Sequence, residues 1–275
     1  MKVGIIGTGT MGIQIALLFA QQENHSIYLC GRNDFIDKCT KNLEKVLNKM
    51  YTNNEQDNFQ ILSRIRLAEK SICSDCDLII ECVTENRDIK KEVFKELYKI
   101  NQNPHCIFAT CSSSIPVSEL SDDKMDIIGL HFFNPVNKID LVEVFIDNND
   151  NYYELAVNHI ITELGLMPII INEKDSISIV NRILIPMINE AINLVYEENI
   201  PVERIDNLMG LINRHFQPLL LADMIGLDIC LDIMESLLYR SHDNPKYEPS
   251  PLLIKMVREG KLGRKTGEGF YKYND

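Results

Sequence analysis

The chain of 275 residues lacks any excess of basic charge: 28 Lys and Arg stand against 40 Asp and Glu, for a formal net charge of −12. A phosphate-backbone partner needs clustered Lys and Arg, so this balance argues against nucleic acid, and any anionic ligand must find a local basic patch. No apolar run approaches the roughly 20 residues of a membrane span. Strand-like residues begin two positions after Met1, which leaves no space for a leader, so a cytoplasmic protein without membrane contact is expected. A disulfide framework is also missing. The eight cysteines, at 30, 39, 73, 76, 82, 106, 111 and 230, have no regular spacing and read as reduced thiols. Cys73-Ser74-Asp75-Cys76 finds no second Cys/His pair to complete a zinc site, so no metal is assigned. Internal repeats and low-complexity segments are absent too.

With 45% hydrophobic residues and both charge signs throughout, the chain can bury a substantial core in one large domain or two unequal ones. It opens with a strand-like run, Val3 to Ile6, followed by Gly7-Thr8-Gly9-Thr10-Met11-Gly12 and an apolar helical stretch from Ile13 to Ala20. Strand, glycine turn and helix in that order make a dinucleotide-binding turn. Two glycines let the backbone approach a pyrophosphate, the third lets helix and strand pack closely, and the helix N-terminus faces the phosphates. An acidic residue that binds the adenosine ribose should follow roughly 20 residues on. At the end of the second strand-like run, Ser26 to Cys30, stand Gly31 and Arg32 instead. Gly31 removes the carboxylate that would repel a 2′-phosphate, and Arg32 brings a cation whose fork suits one, so NADP is expected to be favoured over NAD.

Apolar β-rich runs at Val3–Ile6, Ile27–Cys30, Leu78–Cys82, Cys106–Ala109, Ile127–Leu130, Leu141–Phe145 and Pro168–Ile171 alternate with helical segments or loops. That alternation predicts an α/β, Rossmann-type wound sheet over residues 1–175. The long insertion of about 34–77 reads as a helical pair, Ile36 to Met50 and Asn58 to Ala68. After Asn172-Glu173-Lys174-Asp175 the pattern changes to helices only, at Ile179–Val195, Val202–Ile212, Gln217–Met224, Ile229–Leu238 and Pro251–Glu259, which predicts a separate all-α domain over 176–275. In the first of these, apolar residues cover most of the circumference and leave Arg182, Pro186, Asn189 and Asn193 as the polar stripe, so a largely buried helix is expected.

The stretch Gly129-Leu130-His131-Phe132-Phe133-Asn134-Pro135-Val136, followed by Leu141-Val142-Glu143-Val144, resembles the signature of the 3-hydroxyacyl-CoA dehydrogenases, especially the short-chain 3-hydroxybutyryl-CoA type. The resemblance runs nearly end to end. It takes in Ile80-Glu81-Cys82-Val83-Thr84-Glu85-Asn86 with Lys90-Lys91, the serines 112 to 114, Val180-Asn181-Arg182, Ile225-Gly226-Leu227-Asp228, and the tail from Tyr247 to Tyr271. It implies hydride transfer between a nicotinamide cofactor and C3 of a 3-hydroxyacyl-CoA, and a homodimer formed through the helical domain.

Taking a hydride from a secondary alcohol needs a base for the hydroxyl proton, a task suited to histidine. His131 is the candidate, since it ends an apolar strand where a wound sheet delivers side chains to its ligand crevice. A carboxylate in the next apolar strand, Glu143, is costly unless paired, and the family pattern makes it the partner that orients the imidazole. By the same resemblance Ser113 hydrogen-bonds the substrate oxygen, Asn181 reaches the site from the helical domain, Asn134 belongs to the substrate loop, and Glu85 and Lys90 lie by the cofactor with Gly7, Gly9, Thr10, Met11 and Gly12.

Lys38, Lys41, Lys45 and Lys49 recur at spacings of three and four and so share a helix face. That face reads equally as a receiver for the phosphates of coenzyme A and as a solvated surface, because Asp37 and Glu44 are interspersed. The chain departs from the family at Asn213-Arg214-His215-Phe216-Gln217-Pro218, where a glycine- and proline-rich run is usual, and at Thr110-Cys111-Ser112. Two rival readings follow: the same chemistry on a hydroxyacyl group carried by an acyl-carrier protein, and a catalytically idle binding protein that keeps the fold.

Overall fold

The chain is described here from a computed structural model, which covers residues 1–31, 36–51, 55–121, 125–146, 151–172, 177–214 and 216–273. It divides into two compact units, Met1–Ser176 and Ile177–Asp275.

The first unit carries β1 (Lys2–Ile6), α1 (Thr10–Phe19), β2 (Ser26–Cys30), α2 (Ile36–Met50), α3 (Glu55–Ser63), β3 (Ile65–Ala68), β4 (Leu78–Glu81), α4 (Arg87–Ile100), β5 (Ile107–Thr110), α5 (Val117–Leu120), β6 (Ile127–Phe132), β7 (Leu141–Phe145), α6 (Asn151–Glu163) and β8 (Met167–Ile171). They build an eight-stranded sheet in the order β3-β2-β1-β4-β5-β6-β7-β8. The first six strands across it run parallel, and β7 turns antiparallel against β6. Both faces are covered. Val3 and Ile5 of β1 pack with Leu17 and Phe19 of α1 on one side, while Ile6, Ile79 and Phe108 pack with Phe94 and Leu97 of α4 on the other. A sheet buried on both faces needs strands that are apolar at every position, which is why these runs lack the alternation of a half-exposed strand.

The insertion corrects one expectation. The second helix stops at Ser63, and Ile65–Ala68 forms β3, pairing in parallel with β2 from Ile27↔Ile65 to Cys30↔Ala68. Four residues whose partners lie about forty positions away leave no local periodic signal, and the open edge of β2 decides their conformation.

In the second unit α7 (Ile179–Glu198), α8 (Val202–Ile212), α9 (Pro218–Ile225), α10 (Leu227–Arg240) and α11 (Pro251–Arg258) pack around Ile188, Ile192, Leu219, Cys230, Met234 and Leu253. Two buried carboxylates fasten the C-terminal tail. Asp206 accepts from Leu219 N, Leu220 N and Tyr271 Oη, and Asp223 accepts from Phe270 N, Tyr271 N and Tyr273 Oη. The expected burial of α7 needs correction at two points. Asn189 is buried, its amide donating to Glu248 O and accepting from Ser250 N, whereas Ile179, Ile183 and Met187 are 50, 61 and 45% exposed. Periodicity shows that a helix has an apolar circumference, but not which polar residue finds buried partners.

Candidate active site

The strands from β1 to β6 end at one edge of the sheet, and the chain reverses its direction of winding between β1 and β4. Such a switch point leaves a crevice outside the carboxyl ends of the strands. The glycine turn occupies it. Gly7, at φ +125°, and Gly12 allow no side chain, because a Cβ on Gly7 would lie 2.3 Å from Cys82 O and one on Gly12 2.0 Å from Gly7 O. A Cβ on Gly9 would meet nothing within 4 Å. The turn is therefore packed tightly against β4 and open at its middle glycine. Gly7 N also donates to Cys30 O at 2.8 Å, which ties the turn to the end of β2. α1 begins at Thr10 with no side-chain cap and no acidic residue in its first turn, so the N–H groups of Thr10, Met11 and Gly12 precede the first intrahelical bond, Ile13 N to Gly9 O. These residues fit a pyrophosphate: open space, outward N–H groups and the positive end of a helix dipole. Gly31 is half-buried beyond β2, and Arg32 lies outside the described residues.

His131 stands one residue before the end of β6, directly opposite Glu143 in the antiparallel ladder with β7. Residues in register on adjacent strands face the same side, so the pairing brings the two side chains together. His131 Nδ1–H donates to Glu143 Oε2 at 2.9 Å; the two residues are 6 and 2% exposed. A carboxylate can only accept, which fixes the proton on Nδ1 and leaves Nε2 with a lone pair. The Phe133 ring meets the imidazole edge-on, its centroid 4.6 Å away, and limits rotation of the ring further. The loop after β6 is held by a residue that sequence reading did not single out. Gln14, buried on α1, donates to Asn134 Oδ1 at 2.8 Å and accepts from Val136 N at 3.1 Å. A polar residue amid the apolar run of α1 is the signal that could have found it.

Next along the edge is a buried ionic network built from β4, β5 and α4. Glu81 Oε1 accepts from Val83 N and from Lys90 Nζ at 2.9 Å, and Glu81 Oε2 accepts from Lys90 Nζ at 3.0 Å and Thr110 Oγ1 at 2.8 Å. Lys90 also reaches Glu85 at 3.2 Å. Glu85 Oε1 in turn collects four donors from the serine loop: Ser112 Oγ, Ser113 N, Ser114 N and Ser114 Oγ. Burial opposes the charge on Glu85, but Lys90 and the serine donors outweigh it and hold the carboxyl below its usual range. Lys90 is likewise penalised by burial, and Glu81 and Glu85 overcome that and keep it firmly protonated. The Ser113 backbone is thus fixed through Glu85, while its hydroxyl has no partner among the described residues. Glu81 was not assigned a role from sequence. Its signal is the one used for Glu143, a carboxylate inside an apolar strand.

Asn181 sits in the second unit, in the first turn of α7, where its N–H donates to the capping Ser178 Oγ; it is 8% exposed. Lys45 and Lys49, with Lys38 and Lys41, are all exposed along one face of α2, and none has an ion pair among the described residues. Among the described residues no group of His, Cys, Asp or Glu could hold a metal ion, and no helix is long and apolar enough to cross a membrane.

A wound sheet with a bare glycine turn at its switch point, followed along the edge by a buried His–Glu pair, defines a dinucleotide-dependent oxidoreductase. The family model for the 3-hydroxyacyl-CoA dehydrogenase NAD binding domain matches residues 2–174, and the model for that family's C-terminal domain matches 179–273. A probable 3-hydroxybutyryl-CoA dehydrogenase of Deinococcus radiodurans is 42% identical, covering 99% of this chain and all of its own. The 3-hydroxybutyryl-CoA dehydrogenase of Clostridioides difficile is 39% identical over the whole of both chains. The crystal structure of (S)-3-hydroxybutyryl-CoA dehydrogenase PaaH1 from Ralstonia eutropha superposes with a TM-score of 0.85 at 35% identity, covering 100% of this chain and 99% of that one. The chain belongs to the 3-hydroxyacyl-CoA dehydrogenase family, and it is an oxidoreductase built on an NAD-binding domain. These names lend no support to a preference for NADP, which rests on Gly31 and Arg32 alone.

Proposed function

We propose that this enzyme interconverts a short 3-hydroxyacyl-CoA, of the 3-hydroxybutyryl size, and the corresponding 3-ketoacyl-CoA, with His131 as general acid and base. The buried 2.9 Å contact of His131 with Glu143 carries this reading. In the oxidative direction Nε2 takes the hydroxyl proton while Glu143 stabilises the imidazolium; in the reductive direction the proton returns to the alkoxide oxygen. The bound nicotinamide supplies the acceptor for the hydride leaving C3. Ser113, through its hydroxyl, and Asn181, from the helical unit, would hold the substrate oxygen. Asn134 shapes the loop after β6, and Lys45 and Lys49 would receive the phosphates of coenzyme A. Oxidation of reduced cofactor by acetoacetyl-CoA, followed at the nicotinamide absorbance, tests the reading. Its absence would overturn it, and turnover of only an acyl-carrier-bound substrate would move the activity to a carrier.

The cofactor choice has its own test. With no carboxylate at Gly31 and a cation at Arg32, kcat/KM is expected to favour NADPH over NADH by roughly ten- to a hundredfold, the worth of one charge-assisted contact. Arg32→Ala should erase the difference by harming NADPH alone. Equal values, or an advantage for NADH, would defeat it.

The helical unit supports a homodimer. Ile179, Ile183 and Met187 recur every four residues as an exposed apolar stripe, and Leu208, Leu211 and Ile212 of α8 are 53, 82 and 82% exposed. Patches of this kind are characteristic of self-association. Sedimentation at micromolar concentration should give twice the 31.6 kDa chain mass, and Ile183→Lys should shift it toward monomer. A wild-type monomer would exclude the dimer.

A further inference from the structure

Glu81 is the most deeply buried acid at the carboxyl edge of the sheet, fully inaccessible, and the acid–base chemistry makes no use of it. The cluster it forms with Lys90 and Glu85 contains two carboxylates and one ammonium. Both oxygens of Glu81 accept, from Val83 N, Lys90 Nζ and Thr110 Oγ1, and Glu85 accepts from Lys90 and the serine loop, so two carboxylates face one ammonium and the cluster carries one surplus negative charge. The neighbouring Cys82 thiol adds nothing to this, since a hydrogen bond with Cys111 and burial push it far up. A buried charge is screened little by salt and acts through a medium of low effective dielectric.

The position of this charge matters because of the strand order. The residue after Glu81 is Cys82, whose carbonyl lies where a side chain on Gly7 would stand, so the cluster adjoins the pyrophosphate turn. On the other side of that turn lies β2, whose end holds the adenosine ribose in such folds. The nicotinamide half of the dinucleotide must then extend the opposite way, over the ends of β4 and β5, where Glu81, Thr110 and the Glu85-anchored serine loop converge. The nicotinamide ring is cationic when oxidised and neutral when reduced.

We infer that Glu81 is a positioning residue for charge: through its buried cluster with Lys90 and Glu85 it places one net negative charge beneath the nicotinamide and raises the enzyme's affinity for the oxidised cofactor relative to the reduced one. The inference rests on the dinucleotide reading of the site and adds to it the discrimination between redox states. A second role follows from the same contacts, since Glu81 holds Lys90, which holds Glu85, which holds the backbone of Ser113.

The test is the ratio of dissociation constants for the reduced and oxidised forms, measured without turnover. Reduced-cofactor fluorescence and titration calorimetry serve for the pair NAD+ and NADH, and again for NADP+ and NADPH. Glu81→Gln neutralises the surplus charge, and the ratio of Kd(reduced) to Kd(oxidised) is expected to fall by roughly tenfold, as for two unit charges about 12 Å apart at an effective dielectric of 20. Glu81→Asp keeps the charge and should keep the ratio. A merely structural Glu81 would lower both affinities together and leave the ratio unchanged, which would overturn the inference. Should Glu81→Gln not fold, Glu85→Gln removes the same charge from a partly exposed position, and an unchanged ratio there is equally fatal. If the wild-type protein bound neither form of either cofactor, the dinucleotide reading itself would fall and this inference with it. Binding of both forms with an invariant ratio would overturn the charge assignment alone.

Discussion

Replacing His131 by Asn is expected to lower kcat by about 10²–10⁴, the usual worth of a positioned acid–base group, while leaving the affinity for the dinucleotide nearly intact. The expectation follows from geometry. Glu143 fixes the proton on Nδ1, so the unprotonated Nε2 is the only atom of the pair that can take the substrate proton. Asn fills part of the imidazole volume and can still donate to Glu143, which separates loss of chemistry from loss of the buried contact. Glu143→Gln should act in the same direction but less strongly, because the imidazole stays in place and loses only the charge that stabilises its protonated form. Single-turnover rates and equilibrium binding of the reduced cofactor check both. A His131→Asn enzyme that turns over near the wild-type rate would remove His131 from the mechanism.

Lys90→Met is expected to cost about 3–5 kcal/mol of stability, the range for breaking a buried ion pair by removing one partner. Lys90 is 1% exposed and Glu81 0%, and methionine would fill the space of the alkyl stem while leaving two acids facing each other without a counter-charge. A loss of that size lowers Tm by roughly 6–20 °C in a domain of this length. The pH dependence distinguishes a charge effect from a packing effect. In the wild-type protein Glu85 is held below its usual range, so its contribution is present above the unfolded carboxyl pKa and is lost as pH falls through the folded value. Without Lys90 the two facing carboxyls repel and move up instead, so protonating them on acidification favours the folded state. The stability gap between variant and wild type should therefore narrow as the pH is lowered from 8 toward about 5. A gap that stays constant over that range would mean that the loss is one of packing.

Where the chain's own chemistry is local, the structure adds little to the sequence. The glycine turn is legible because a packed turn next to a helix N-terminus tolerates no side chain at Gly7 or Gly12, whatever surrounds it. α2 and α8 occupy the spans that their periodicity predicts, Ile36–Met50 and Val202–Ile212, since an amphipathic helix writes its buried face into its spacing. His131 and Glu143 could be named as partners, but their contact depends on β7 running antiparallel to β6 in one register, and a slip of a single residue would turn the two side chains to opposite faces.

The sequence by itself determined the wound α/β class, the dinucleotide turn and the all-helical second unit, because each of these is encoded by residue type within a short window, while His131 and Glu143 were named as the expected acid–base pair through the family resemblance. Tertiary structure alone decided that Ile65–Ala68 is a strand, that Gln14 clamps the loop after β6, that Asn189 is buried while Ile183 is exposed, and that Glu81, Lys90 and Glu85 form one cluster under the serine loop. The physical reason is common to all four. Each is settled by pairing a strand edge, a buried amide or a buried charge with groups remote in sequence or on another element, and the energy of such a pairing exists only once the sheet and helices have brought the partners within hydrogen-bonding distance.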